Sequence, residues 1–290
     1  MRKQCAAVIA ATMFCTAALS AMPTHVSAEE FKESGTIWVI GDSISSDHGD
    51  EDNLTQNERP ITGWGNVLQN YLGDKATIQN KARSGRSSRS YTMEPVYKEV
   101  GRGVKAGDYV MIQFGHNDEN ESAKLHTDPS GDSNTEGSFK WYVKTYYIEP
   151  NIEAGAKTIL CSNVTRYVFE DGKLGASTNE PYAKAMKELA EEYSEQGENV
   201  YFIDTYQITR DLYEKLGEDG AKKLHAMVGL GDEAELDTTH YGPYGAMYMG
   251  NVLAKELKSL GLTCAQDIKS PKIADAKAAK AAKGGKFSWR

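Results

Sequence analysis

The sequence predicts an α/β protein, one domain built on a mostly parallel five-stranded sheet with helices on both faces. Short apolar, strand-like runs recur at 36–41, 76–80, 108–114, 157–161 and 199–203, and amphipathic helical patterns lie between and after them at 63–73, 139–155, 180–197, 205–217 and 243–261. Repeated β-then-α units force parallel strands joined by crossover helices. The composition agrees: 290 residues with 40% hydrophobic and 9% aromatic side chains can bury one large core without dividing into several domains.

Taken in order, the chain begins with Arg2 and Lys3, a largely apolar stretch over 5–22, and the small-residue sequence Val26-Ser27-Ala28. This reads as a secretory signal over 1–28, cleaved near Ala28, and too short and broken to span a membrane. No other apolar run is long enough to cross one. The domain follows over 29–268. Pro150 sits inside the helical pattern of 139–155 and predicts a kink or break there. The polar, glycine-containing stretches 119–138 and 166–179 are long for connections in a compact domain and are expected at the rim of a binding site.

Residues 269–290 form a low-complexity basic tail, in which five lysines and Arg290 stand against Asp275 after Pro271. It is expected to be a solvated, partly helical extension. A sharper reading is electrostatic retention on an anionic wall or polysaccharide. The whole chain carries −8; with +2 from the signal and +5 from residues 272–290 set aside, residues 29–271 carry −15. An acidic body of this size excludes nucleic acid as the expected partner. Asp47, Asp50, Glu51 and Asp52 are read as solvated loop charges, because their spacing misses the helix-loop-helix calcium pattern. Cys161 and Cys264, the cysteines left after the signal, are 103 positions apart, and Cys161 ends a buried strand; buried free thiols are expected.

The first strand carries the chemistry. In Thr36–Asp47, TIWVIGDSISSD, an apolar run stops at Gly41, so that the side chain of Ser43 emerges on a tight turn. Gly-Asp-Ser alone is as often a helix-capping turn as a nucleophile. A serine alcohol needs a base within hydrogen-bond reach and donors for the oxyanion it creates. In an open parallel sheet the loops leaving the carboxyl ends of the strands converge. Ser43 follows the first strand, Gly85 the second and Asn117 the third, so the three share one edge. Asp237 and His240, three residues apart just before the last helix, are expected side by side on one turn.

Each residue type suits one task in acyl transfer. His240 can take the Ser43 proton and return it to the leaving alcohol, with Asp237 holding the ring's tautomer. The amide of Asn117, with the backbone N–H groups of Ser43 and Gly85, can form a three-donor oxyanion hole. A side chain at Gly85 would obstruct the approach of substrate to the backbone. Singly, His240 reads as a structural histidine, Asp237 as a cap, Asn117 as a turn residue and Gly85 as a helix start; four such coincidences after the right strands are much rarer. His48, His126 and His225 show no metal-ligand spacing, and no metal site is expected.

Gly41-Asp42-Ser43, Gly85, Gly115-His116-Asn117-Asp118 and Asp237 to His240 resemble the four blocks of the SGNH (GDSL) hydrolases. Gly63-Trp64-Gly65, Gly85 to Tyr91, Ala106 to Val110 and Phe114 to Asp118 further resemble the rhamnogalacturonan acetylesterases of carbohydrate esterase family 12, the likeness running from about Thr36 to Leu262. The resemblance implies a flavodoxin-like three-layer α/β/α sandwich, no cofactor, and removal of acetyl groups from pectin backbone sugars. His116 is read as a structural or substrate-facing residue rather than a rival base, because no carboxylate is placed beside it as Asp237 is beside His240. Arg83, Arg86 and Arg89 flank Gly85; they are expected to meet galacturonate carboxylates, the competing reading being pairing with the chain's own acids. Two alternatives stand beside a secreted pectin acetylesterase: a broader esterase for acetylated xylan or short acyl esters, and a non-catalytic carbohydrate-binding relic of the fold.

Overall fold

The computed structural model describes residues 35–49, 59–229 and 231–269. The expected signal over 1–28, nearly all of the basic tail and Asp50, Glu51 and Asp52 of the acidic loop lie outside the described residues. Asp47, the described member of that loop, accepts hydrogen bonds from the Gly49 N–H and from Asn66 Nδ2.

Five parallel strands, β1 (Thr36–Gly41), β2 (Thr77–Asn80), β3 (Tyr109–Gln113), β4 (Lys157–Cys161) and, later in the chain, β7 (Val200–Ile203), form the central sheet in the order β2-β1-β3-β4-β7. The strands predicted from sequence are all present. Residues alternate between two helical layers, as period-two geometry requires. Ile37, Val39, Met111 and Ile159 point into a core shared with α1 (Trp64–Val67) and α7 (Pro243–Ser259). Ile40, Val110, Ile112 and Leu160 point into a second core with α2 (Pro95–Gly103), α3 (Phe139–Val143) and α5 (Glu180–Glu195). These are the three layers of a flavodoxin-like sandwich, and the strand order changes direction between β1 and β3.

Two small antiparallel pairs lie outside this sheet: β5 (Phe169–Glu170) with β6 (Lys173–Leu174), and β8 (His225–Val228) with β9 (Glu235–Tyr241). Sequence patterning shows neither pair, nor α2. Helix α6 (Thr205–Lys222) starts under an Asp204 cap, its carboxylate accepting the Gln207 N–H at 3.0 Å, and is kinked at Gly217 (φ 67°), where the sequence pattern ends.

Proline acts on the stretch 139–155 as expected, though by distortion rather than rupture. Between α3 and α4 (Glu149–Glu153) the ladder widens to a π turn over Lys144–Ile148. Pro150 has no N–H to offer the carbonyl of Tyr146 four residues back. The Tyr97 hydroxyl donates to that carbonyl instead, at 3.0 Å.

Candidate active site

Strand β1 delivers Ser43 on a turn held by backbone hydrogen bonds and by the side chains of Asp42 and His48. The Asp42 carbonyl accepts the Ser46 N–H at 3.0 Å and its Oδ1 accepts the Ile44 N–H at 2.9 Å, so Asp42 caps the turn and Ser43 projects from it. Gly41 permits the sharp exit: a Cβ there would lie 2.6 Å from the Gln113 carbonyl oxygen. The Trp64 N–H donates to the Ile44 carbonyl at 3.0 Å, seating the turn against α1. The Ser43 carbonyl lies 2.7 Å from His48 Nε2, which also meets the Ser46 hydroxyl at 3.2 Å. The His48 ring stands edge-on to His240 with centroids 6.1 Å apart. This second histidine beside Ser43 gave no spacing signal in the sequence.

Ser43 Oγ lies 2.8 Å from His240 Nε2, and His240 Nδ1 lies 2.7 Å from Asp237 Oδ2. The sequence expectation of one shared turn needs correction, since Asp237 and His240 belong to strand β9. They meet because the other carboxylate oxygen, Oδ1, accepts the N–H groups of Thr239 and His240, each at 2.8 Å, and curls the strand around the acid. Burial pushes the Asp237 carboxyl up, but the His240 ring and the two N–H donors outweigh it and bring it down to about 2. An anionic carboxylate on Nδ1 leaves Nε2 free to accept a proton from Ser43.

The loops after β2 and β3 complete the edge. The Arg83 N–H donates to the Gly41 carbonyl at 2.9 Å, which fixes the Gly85 loop beside the serine turn. Gly85 is exposed with φ +72°, a conformation side-chain-bearing residues rarely hold, and nothing lies within 4 Å of where a Cβ would be. Asn117 is half-buried and its Nδ2 donates to the Arg86 carbonyl at 3.1 Å, linking the two loops. Beneath them Asp118 accepts from the Ser88 N–H, the Ser88 hydroxyl (2.5 Å), the Gly115 N–H (3.1 Å) and the Thr127 hydroxyl (2.8 Å). Its complete burial raises the carboxyl to about 7 against those donors, with the charge of Asp42 adding to the rise.

Of the two readings of His116 its burial agrees with the structural one, while the premise that no carboxylate stands beside it needs correction. The residue is only 5% exposed, and a carboxylate does stand beside it: Asp42 Oδ2, 3.6 Å from Nδ1. Burial under the serine turn removes it from a substrate-facing position. The three arginines divide. Arg86 is tied to Glu94 at 2.6 Å and to the Ser84 carbonyl, as the competing reading held; Arg83 is exposed and its side chain donates to the Ala82 carbonyl. Among the described residues Arg89 makes no side-chain hydrogen bond or ion pair, and its Nε is buried without a partner.

One residue without any sequence signal joins the two halves of the site. Arg166 donates to the Thr239 hydroxyl next to His240, to the His116 carbonyl next to Asn117, and to Glu119, whose second oxygen accepts from Thr178. Among the described residues no group of three or more His, Cys, Asp or Glu is arranged to hold a metal ion. Cys161 is a buried free thiol, so Cys161 and Cys264 are not joined.

A parallel α/β/α sandwich presenting serine, histidine and aspartate in one hydrogen-bonded line at the carboxyl edge of its sheet is the architecture of a serine ester hydrolase. Residues 39–228 match the GDSL-like lipase/acylhydrolase family, and the chain belongs to it. It is 29% identical over 232 residues to the rhamnogalacturonan acetylesterase RhgT of Bacillus subtilis (strain 168), covering 78% of this chain and 90% of that protein. A rhamnogalacturonan acetylesterase of Emericella nidulans is 26% identical over 242 residues, 78% of this chain and 86% of that one. The crystal structure of protein YXIM of Bacillus subtilis superposes with a TM-score of 0.62 at 26% identity, covering 79% of this chain and 57% of that one.

Proposed function

We propose that the chain is a secreted esterase that removes O-acetyl groups from the rhamnogalacturonan of pectin through an acetyl-Ser43 intermediate. The observation that carries the chemistry is the line from Ser43 Oγ to His240 Nε2 (2.8 Å) and from His240 Nδ1 to Asp237 (2.7 Å). Ser43 Oγ attacks the acetyl carbonyl carbon as its proton passes to Nε2. The resulting oxyanion accepts hydrogen bonds from the Ser43 and Gly85 N–H groups and the Asn117 amide. Collapse expels the sugar hydroxyl, which takes the proton from His240. Water then attacks the acetyl-serine, gives a proton to Nε2, and acetate leaves as Ser43 regains its hydrogen.

The substrate reading is supported by the names of the relatives and by Arg83, which is exposed, and Arg89, neither of which forms an ion pair with an acid among the described residues of a body that is otherwise strongly acidic. Secretion rests on the residues of 1–28. The test is acetate release from acetylated rhamnogalacturonan and acetylated xylan at several salt concentrations. A higher kcat/KM on the pectic substrate is expected, falling with NaCl more than activity on a small neutral acetate ester does. Equal salt dependence, or a preference for xylan, overturns the substrate assignment and leaves the ester hydrolysis in place.

A further inference from the structure

Resting on Ser43 as the nucleophile of that reading, we infer that His48 is a positioning residue for the attack: its Nε2–H fixes the peptide that follows Ser43 and its ring stands against His240, so one buried side chain aligns the nucleophile with its base. The acyl-transfer steps do not otherwise use His48. It is 5% exposed although Asp47 and Gly49 on either side are exposed, so the imidazole turns inward from a surface stretch. Burying an imidazole is costly unless its polar atoms find partners, and the partners it meets are parts of the site.

Ser43 lies between two peptide units, and each is tied. The carbonyl of the first, that of Asp42, accepts the Ser46 N–H at 3.0 Å and the Ser45 N–H at 3.3 Å. The Ser43 N–H is on the opposite side of the same trans unit, so it points away from the turn, where the oxyanion needs a donor. In the second unit the Ile44 N–H donates to Asp42 Oδ1 at 2.9 Å, and the Ser43 carbonyl meets His48 Nε2 at 2.7 Å. A carbonyl oxygen only accepts, which assigns the His48 proton to Nε2. The Ser46 hydroxyl, 3.2 Å from the same nitrogen, then shares that N–H as a second acceptor. With both units held, the backbone torsions of Ser43 are fixed and Oγ is aimed by χ1 alone.

A hydrogen bond within one turn would serve stability only. The His48 ring has a second contact, which a turn staple does not require: it stands at 73° to the His240 ring with centroids 6.1 Å apart, the near-perpendicular arrangement that aromatic rings favour. His240 arrives on β9, which pairs with β8 and not with the central sheet. The contact therefore crosses between the two parts that Ser43 Oγ and His240 Nε2 join at 2.8 Å. His48 sets both ends of that line, the serine through its carbonyl and the histidine through its ring. Neither contact involves substrate, and the effect falls on the rate of attack rather than on binding.

The experiment uses the full chain, a small chromogenic acetate ester and a phosphonofluoridate, in whose reaction Ser43 Oγ displaces fluoride from phosphorus as its proton passes to His240. Neither probe depends on which polysaccharide is deacetylated. His48→Phe keeps a ring and removes the donor; His48→Gln keeps an N–H close to the place of Nε2. His48→Phe is expected to lower kcat about 10²-fold, the loss that a displacement of about 1 Å produces, with KM little changed and Ser43 labelling slowed by a similar factor. His48→Gln should return most of both rates, which a purely structural loss would not do. Parental kcat and labelling in His48→Phe, a loss in KM alone, or rates in His48→Gln as low as in His48→Phe overturns the role. Should His48→Phe not fold, His48→Gln decides: labelling within about tenfold of the parent sustains the donor and a larger loss overturns it. A parent that hydrolyses the ester without being labelled on Ser43 removes the nucleophile reading and the positioning role with it. A parent labelled on Ser43 at the same rate as His48→Phe removes the positioning role alone.

Discussion

The serine and the histidine reach the same point by different kinds of support. Ser43, Gly85 and Asn117 stand on loops that leave adjacent strands of the central sheet, and backbone hydrogen bonds to Asp42, Gly41 and Ile44 hold the serine side. Asp237 and His240 arrive on the separate β8–β9 hairpin, which no strand pairing connects to that sheet. Its hydrogen-bonded links to the rest include the Tyr167 N–H to the Thr238 carbonyl, the Thr62 N–H to the Tyr241 carbonyl, the Met227 N–H to the Arg59 carbonyl, the pairing of the Tyr213 hydroxyl with His225 Nε2, Arg166 to the Thr239 hydroxyl, and the contact of His240 with Ser43. The nucleophile is thus a property of the sheet, whereas its base is a docked part. Alignment of the two depends on side chains far apart in sequence.

The largest effects should come where the two parts touch. Ser43→Ala and His240→Ala are each expected to lower kcat by about 10⁶, and Asp237→Asn by about 10⁴, on a chromogenic acetate ester. With its carboxyl down at about 2, Asp237 stays ionised across the working range, so an acid limb in the kcat/KM profile above pH 4 belongs to another group and should survive Asp237→Asn. Asn117→Ala acts on the sheet side alone and should lower kcat by about 10² to 10³ with KM little changed.

A sharper test is Arg166, which touches both sides and is not itself in the proton path. Removing it should let the hairpin shift against the oxyanion loop, and a displacement of about 1 Å can lower the rate by about 10². Arg166→Ala should therefore lower kcat on a small ester with KM nearly constant. Arg166→Lys should restore little, since an ammonium on a flexible stem cannot span Thr239, Glu119 and the His116 carbonyl together. Normal kcat in both variants would mean that the hairpin is seated without this clamp.

The smallest expected effects are on stability, and they have opposite signs in the two regions. His225, in β8 of the hairpin, is buried and its pKa is lowered to about 4, so its contribution is complete above pH 6.5 and lost as pH falls toward 4, by up to about 1.4 kcal/mol per pH unit. Asp118, under the oxyanion loop, is raised to about 7, so its contribution is complete below about 3.8 and lost as pH rises toward 7. The two trends offset each other between pH 4 and 6.5. Melting temperatures across that range should fall on acidification more steeply in Asp118→Asn than in the parent, and less steeply in His225→Phe.

Legibility in the sequence follows the same division. The sheet side reads directly, because apolar runs ending at Gly41 and Gln113 are local patterns and Ser43 and Asn117 follow them within a few positions. The hairpin does not read as strands: Glu235-Leu236-Asp237-Thr238-Thr239-His240 lacks apolar alternation, since its shape comes from a carboxylate gathering N–H groups. Helix α2 escaped because only Val96 and Val100 are buried along it, too few for a periodic signal. Arg166 is invisible in principle, its partners lying 73, 50 and 47 positions away. The burial of His116 against Asp42 depends on how two loops pack, which spacing does not encode.

Cys161 closes β4 inside the core beneath this site, and burial pushes its thiol well above the usual range. A thiolate is the species that alkylating reagents attack, so in the folded protein this sulfur is inert. It becomes reactive only when the central sheet opens, which makes it a built-in clock: the labelling rate under native conditions reports how often the whole domain comes apart. The same sulfur owes nothing to an oxidant, and the Cys161 end of the sheet is complete without a disulfide.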